Sequence, residues 1–178
     1  MPANLATLSL RSERPEDGPF LREVYGSTRQ EELEASGLPV EMRPAFLDLQ
    51  FKAQQQGYRS MYPQAQFHVI LLGNQPVGRM AVNRAAGELR LIDIALLPQH
   101  RNQGIGTALI QKLSTEAAAA GQPLRLSVVK GQRAVHLYHR LGFAKTGESG
   151  WRDLMEWRAG KSLSPDQQSQ SSGPGRVG

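Results

Sequence analysis

The 178 residues amount to one domain's worth of chain, long enough to bury a core, and 39% hydrophobic with 21% charged residues excludes collagen, a coiled coil and wholesale disorder. Having no cysteine excludes a disulfide framework, a zinc–thiolate centre and a thiol nucleophile. The net charge of +5 is uneven: residues 61–157 hold 11 basic and 6 acidic groups with no run of five like charges, which suits a local anionic ligand and predicts no nucleic-acid partner.

Residues 5–10 alternate as a short strand does, and residues 12–19, rich in Pro, Gly and acids, read as a connection to a helix. Phe20, Leu21, Val24 and Tyr25 mark its apolar face. Thr28 and Glu31 have capping-box spacing, predicting a second short helix that ends near Gly37. Met42, Ala45, Phe46, Leu49 and Ala53 predict an amphipathic helix stopped by Gly57. From Gln66 the period changes: residues 67–72 and 76–82 flank Gly73-Asn74 as a β-hairpin, and residues 88–97 form a long apolar strand. Residues 104–120 place Ile105, Leu109, Ile110, Leu113 and Ala117 on one helical face, with Gly121 as the cap and Pro123 beyond. A buried strand follows at Leu124–Val129. Ala134, Leu137, Tyr138 and Leu141 then mark a short helix ending at Gly142, and residues 143–147 and 151–157 read as a closing strand pair.

The order is mixed α/β without internal repeats, in a single domain over residues 1–158. Residues 159–178 are too polar to offset ordering entropy and are expected to be a disordered tail. No apolar stretch approaches the roughly 18 to 20 residues of a bilayer span, and Met1-Pro2-Ala3-Asn4 lacks a charged-then-apolar signal, so a cytoplasmic location without a membrane partner is expected.

Chemistry concentrates between Leu91 and Leu109, where an apolar strand ends at Pro98 and Arg101-Asn102-Gln103-Gly104-Ile105-Gly106 leads straight into a helix. Strand, glycine turn, helix is an anion-binding arrangement. Amides of the helix's first turn face outward with the positive end of its dipole, and glycine admits a phosphate closely. Arg101 adds a positive charge at the rim. A Walker A loop would need Gly-Lys-Ser/Thr, and a dinucleotide fingerprint would need a third glycine where Leu109 stands; neither is present.

The segment from Arg101 to Gly106 resembles the pyrophosphate loop Gln/Arg-x-x-Gly-x-Gly/Ala of the GNAT superfamily of acetyl-CoA-dependent N-acetyltransferases. About thirty residues later, Leu137-Tyr138-His139-Arg140-Leu141-Gly142-Phe143 resembles that superfamily's Leu-Tyr-x-x-x-Gly-Phe segment. The resemblance spans residues 66–157. It implies a mixed, mostly antiparallel sheet flanked by helices on both faces and splayed between the fourth strand, residues 88–97, and the fifth, Leu124–Val129. Acetyl-CoA is then expected in that opening. Backbone groups of Ile94, Ala95 and Leu96 would meet the pantetheine arm. Arg101, Asn102, Gln103, Gly104, Ile105, Gly106 and Thr107 would surround the pyrophosphate, and Tyr138 would face the thioester sulfur. Residues 15–60 correspond to the variable acceptor side. Where the family commonly carries an Asn before the tyrosine-bearing helix, this sequence has Gly131 and Gln132, and Gln132 supplies the same amide chemistry on a longer stem.

A phenol at Tyr138 suits proton donation to a leaving thiolate. The acceptor amine, with a pKa of about 10.4, is mostly protonated near neutrality, so a base is required. Asp93, an acid inside Leu91-Ile92-Asp93-Ile94-Ala95, is the first candidate, Glu88 the second and a water relay the third. The competing reading makes Asp93 a structural acid bonded to neighbouring backbone or to an arginine such as Arg90 or Arg125. His136 and His139 lack a third ligand, so no metal is expected. Tyr58, Tyr62, Trp151 and Trp157 are candidates for an acceptor pocket or the core, and Gly78 and Arg79 read as plain strand. The expected activity is direct transfer of acetyl from acetyl-CoA to a primary amine of a small molecule or peptide; the alternative is a non-catalytic acyl-CoA-binding or sensor module. An exposed sheet edge at residues 151–157 is expected to offer a homodimer contact.

Overall fold

The computed structural model describes residues 5–160, so the expected tail lies outside them from residue 161 onward. Strands β1 (Leu8–Ser12), β2 (Gln66–Leu72), β3 (Gln75–Ala85), β4 (Glu88–Leu96), β5 (Leu124–Val129), β6 (Ala144–Ser149) and β7 (Arg152–Trp157) form one sheet in the order β1-β2-β3-β4-β5-β7-β6. Its helices are α1 (Gly18–Ser27), α2 (Gln30–Ala35), α3 (Arg43–Met61), α4 (Ile105–Ala119) and α5 (Arg133–Arg140). Every neighbouring pair is antiparallel except β4 and β5, which run parallel and pair only at Leu89 with Leu124 and Arg90 with Arg125. Beyond these two pairs the strands part, which is the expected splay. Among the described residues no helix is long and apolar enough to cross a membrane.

Two-residue alternation assigns each side chain to a face. Ile70, Met80, Val82, Leu91, Leu124, Leu126 and Met155 point to one side, where Ile105, Leu109, Ile110 and Leu113 of α4, together with Tyr138 and Phe143, complete the buried core. The opposite side carries Arg79 and Asp93 toward α1 and α3, and half-buried Ser127, Val129 and Arg152 on β5 and β7. A bulge sorts β4 between the two. Ala81 opposes Asp93 while Val82 opposes Leu91, so Ile92 is an extra residue. It turns Asp93 to the side of Arg79 although Leu91 faces the core.

Several expectations are corrected. Helix α3 continues past Gly57 to Met61, because one exposed glycine weakens a long helix by only about 1 kcal/mol. Its expected apolar face points outward: Phe46 and Leu49 are exposed, whereas Leu47, Phe51, Gln54 and Tyr58 are among the partly covered residues. The surface beneath is mixed, offering Tyr25 to Phe51 and Arg79 to Gln54, so apolar spacing alone does not mark the inner face. Thr28 does not open a capping box; its hydroxyl donates to the Tyr25 carbonyl at 2.7 Å and closes α1, while α2 begins at Gln30 without a side-chain cap. Residues 151–157 are not a sheet edge, since β7 is sandwiched between β5 and β6 and the edges are β1 and β6.

Candidate active site

Past Arg90, β4 has a partner on one side only. Gly78, Arg79 and Met80 of β3 oppose Leu96, Ala95 and Ile94, so the other edge of these three residues faces the splay. A Cβ on Gly78 would fall 2.3 Å from the Ala95 carbonyl oxygen; glycine is what allows β3 to lie this close. Gly78 is therefore more than plain strand.

The chain leaves β4 through a 3-10 turn at Pro98–His100 and enters α4 through two left-handed residues, Asn102 (φ 59°) and Gly104 (φ 81°). No side chain caps α4, whose first intrahelical bond runs from the Ala108 amide to the Gly104 carbonyl at 2.9 Å. Helix geometry leaves the amides of Ile105, Gly106 and Thr107 without an internal acceptor, and the position a Cβ would take on Gly106 is open space. Uncapped amides, a dipole and a cradle free of Cβ atoms fit the diphosphate of coenzyme A. Arg101 braces this loop: its Nε donates to the Leu96 carbonyl at 2.9 Å and its Nη2 to the Ser27 hydroxyl at 2.9 Å. Its charge has no carboxylate partner among the described residues. The Gln103 amide donates to the Gln99 carbonyl at 2.7 Å, and Gln132 is exposed at the start of α5.

Tyr138 is 7% exposed and packs edge-on against Phe143, with ring centroids 5.5 Å apart. Burial, reinforced by the negative charge of Asp93 and partly offset by Arg152, pushes its phenol up to about 12. It therefore stays protonated near neutrality, the state a proton donor needs. Asp93 has its Oδ2 2.8 Å from Arg79 Nε, an ion pair with neither of the arginines expected. Those two hold Glu88 instead, through Arg90 Nε at 2.8 Å and Arg125 Nη1 at 2.9 Å. Hydrogen bonding by Arg90 leads in keeping the Glu88 carboxyl below its ordinary range, and these occupied lone pairs make it a poor base.

Arg79, the partner of Asp93, is the buried polar residue that sequence reasoning missed. It is 5% exposed, its Nη2 donates to Gln54 Oε1 at 2.7 Å, and its guanidinium carbon stands 5.5 Å from the Tyr25 ring centroid. A buried guanidinium needs an anion, and Asp93 supplies it. The signal was available: Arg79 interrupts an apolar strand just as Asp93 does. Tyr58 joins the group from α3, its phenol pushed up to about 12 by burial first and the charge of Asp93 second. Asp93 and Arg79 are paired, Tyr58 and Tyr138 both feel the charge of Asp93, His136 and His139 are exposed, and Trp157 packs against the core.

A family profile described as an acetyltransferase (GNAT) domain matches residues 63–145, which include the phosphate loop, Asp93 and Tyr138. Residues 63–145 of this chain are thus similar to a GNAT acetyltransferase domain. N-acetyltransferase 8 of Rattus norvegicus is 36% identical to it over 78 residues, 43% of this chain and 35% of that protein. Thialysine N-epsilon-acetyltransferase of Mus musculus is 44% identical over 64 residues, 34% of this chain and 38% of that protein. The chain spans less than half the length of the curated relatives it matches. Among solved structures, the PaiA N-acetyltransferase of Thermoplasma acidophilum in complex with coenzyme A superposes with a TM-score of 0.63 at 20% identity, covering 85% of this chain and 98% of that one. An acetyltransferase from Thermus thermophilus gives 0.65 at 21% identity, covering 89% and 99%. These structures share the GNAT fold, with its mostly antiparallel sheet opened between β4 and β5.

Proposed function

We propose that this GNAT domain transfers acetyl from acetyl-CoA to a primary amine of a small molecule or peptide by direct transfer. The reading rests on one observation: the uncapped turn at residues 101–106 opens straight into α4 beside the unpaired edge of β4. A GNAT neighbour with coenzyme A bound supports the choice of an acyl-CoA.

In this reading the amides of residues 102–107 hold the diphosphate, with the charge of Arg101 beside them. The free edge of Ile94, Ala95 and Leu96 hydrogen-bonds the pantetheine arm, an amide near Leu96 polarises the thioester carbonyl, and Gln132 adds an amide contact. An ammonium acceptor costs about 4.6 kcal/mol to deprotonate at pH 7 from a pKa of about 10.4. Asp93, oriented by Arg79, takes that proton directly or through water; Tyr138 gives one to the departing sulfur. Retention of a phenol at Tyr138 favours the enzymatic reading over a sensor that only binds an acyl-CoA.

Purified protein should release free coenzyme A thiol from acetyl-CoA when an amine is supplied. Tyr138→Phe should lower kcat by about 10²-fold or more while leaving acetyl-CoA affinity, measured by calorimetry, nearly unchanged. Gly106→Glu, whose side chain enters open space, should fold and yet bind acetyl-CoA at least about tenfold more weakly. Tight binding without thiol release for every amine offered would make the protein a sensor and end the enzymatic reading.

A further inference from the structure

Most guanidinium groups in the described chain meet a carboxylate, as Arg11 meets Asp17, Arg29 meets Glu32, Arg79 meets Asp93 and Arg125 meets Glu88 and Glu156. Arg152 is half-buried and does not. Its Nε and Nη2 donate to the hydroxyl and carbonyl oxygens of Ser127, at 3.2 and 2.9 Å, both neutral acceptors. Its Nη1 has no hydrogen-bond partner among the described residues. Beside it, the ring of Trp151, 65% exposed, lies with its centroid 5.7 Å from the guanidinium carbon.

Strand register places this group at the reaction centre. Because β4 and β5 run parallel with Arg90 opposite Arg125, Ser127 is level with the bulge at Ile92 and Asp93, across the splay. Arg152, opposite Val129, shares the sheet face of Ser127 and Asp93. In keeping with that position, its charge opposes the upward shift of both phenols near Asp93, Tyr138 and Tyr58. A half-desolvated cation with an idle donor and no counter-anion is an incomplete pair, and the planar guanidinium fork is matched to a carboxylate, the commonest anion that a small amine carries.

We propose that Arg152 binds a carboxylate on the acceptor, so that the acceptor is an amine that also carries a carboxylate, its nitrogen directed to Asp93 and its anion to Arg152. This rests on the acetyltransferase reading and names the substrate class of the same site. Acceptors of the polyamine type, cationic throughout, are disfavoured by the same guanidinium.

The test compares matched acceptors that differ only in that group: glycine with glycinamide, 4-aminobutyrate with 4-aminobutyramide, and lysine with lysinamide, each followed by thiol release from acetyl-CoA. In at least one pair the carboxylate member should have a kcat/KM higher by about tenfold or more. Arg152→Gln should bring that ratio toward one, and Arg152→Lys should retain part of it. A purely structural role for Arg152 would lower both members together and leave the ratio in place. Turnover indifferent to the carboxylate in every pair, or a ratio unchanged in Arg152→Gln, overturns the proposal and leaves the acetyltransferase reading standing. No thiol release with any of the six amines overturns both.

Discussion

Helix α4 buries Ile105, Leu109, Ile110, Leu113 and Ala117 within 15 residues, whereas the 19 residues of α3 bury none. The two lie on opposite sides of one sheet. On the α4 side the packing is neutral and dense, and it holds α4 and the turn before it against β4 and β5. On the α3 side, buried Leu21, Val24, Tyr25 and Val69 are joined by ion pairs and hydrogen bonds, such as those of Arg79 with Asp93 and Gln54. Apolar packing tolerates little change because every lost contact leaves a void. Polar contacts near water tolerate more, so substitutions in this layer should disturb the fold less than substitutions on the α4 side.

The sharpest way to break that contrast is Phe143→Ala. Phe143 is fully buried beside Tyr138, and its removal should cost about 3–5 kcal/mol in urea unfolding. A loss near that of a surface substitution would show that the neutral side is not the rigid one. Next comes Glu88→Gln, which loosens the clasp joining β4 to β5 at the foot of the splay. About 1–3 kcal/mol should be lost at neutral pH. The folded-state pKa of Glu88 is depressed, so its contribution is present above the unfolded carboxylate value near 4.3 and disappears as pH falls through the folded value. The gap between parent and variant should therefore close in acid, and a gap constant from pH 7 to pH 3 would assign the loss to packing. The smallest effect belongs to Leu49→Ser on the outward side of α3, 67% exposed, which should change stability by no more than about 0.5 kcal/mol. A large loss there would mean that another surface covers α3 in solution.

Legibility followed the same division. The strand, glycine turn and helix around residues 101–106, the apolar stripe of α4 and the tyrosine before Gly142 and Phe143 were all readable, since each is a local pattern in contiguous residues. Helix α3 was readable as a helix but not in its orientation, because the face it turns inward covers polar groups and its leucines do not report it. Asp93 stood out as an acid in an apolar strand, yet its partner was expected at Arg90 or Arg125. Straight alternation from Leu91 would have sent Asp93 into the core; the bulge at Ile92 sends it to Arg79 instead.

What the sequence determined by itself was therefore the α/β order, the glycine turn leading into α4 and the acidic and phenolic candidates, because backbone propensity and short-range spacing suffice for each. Only the tertiary structure decided which arginine serves which acid, why Glu88 is occupied and why Arg152 is left with a free donor. Those pairings join strands far apart in the chain, and a single inserted residue in one strand exchanges every partner beyond it.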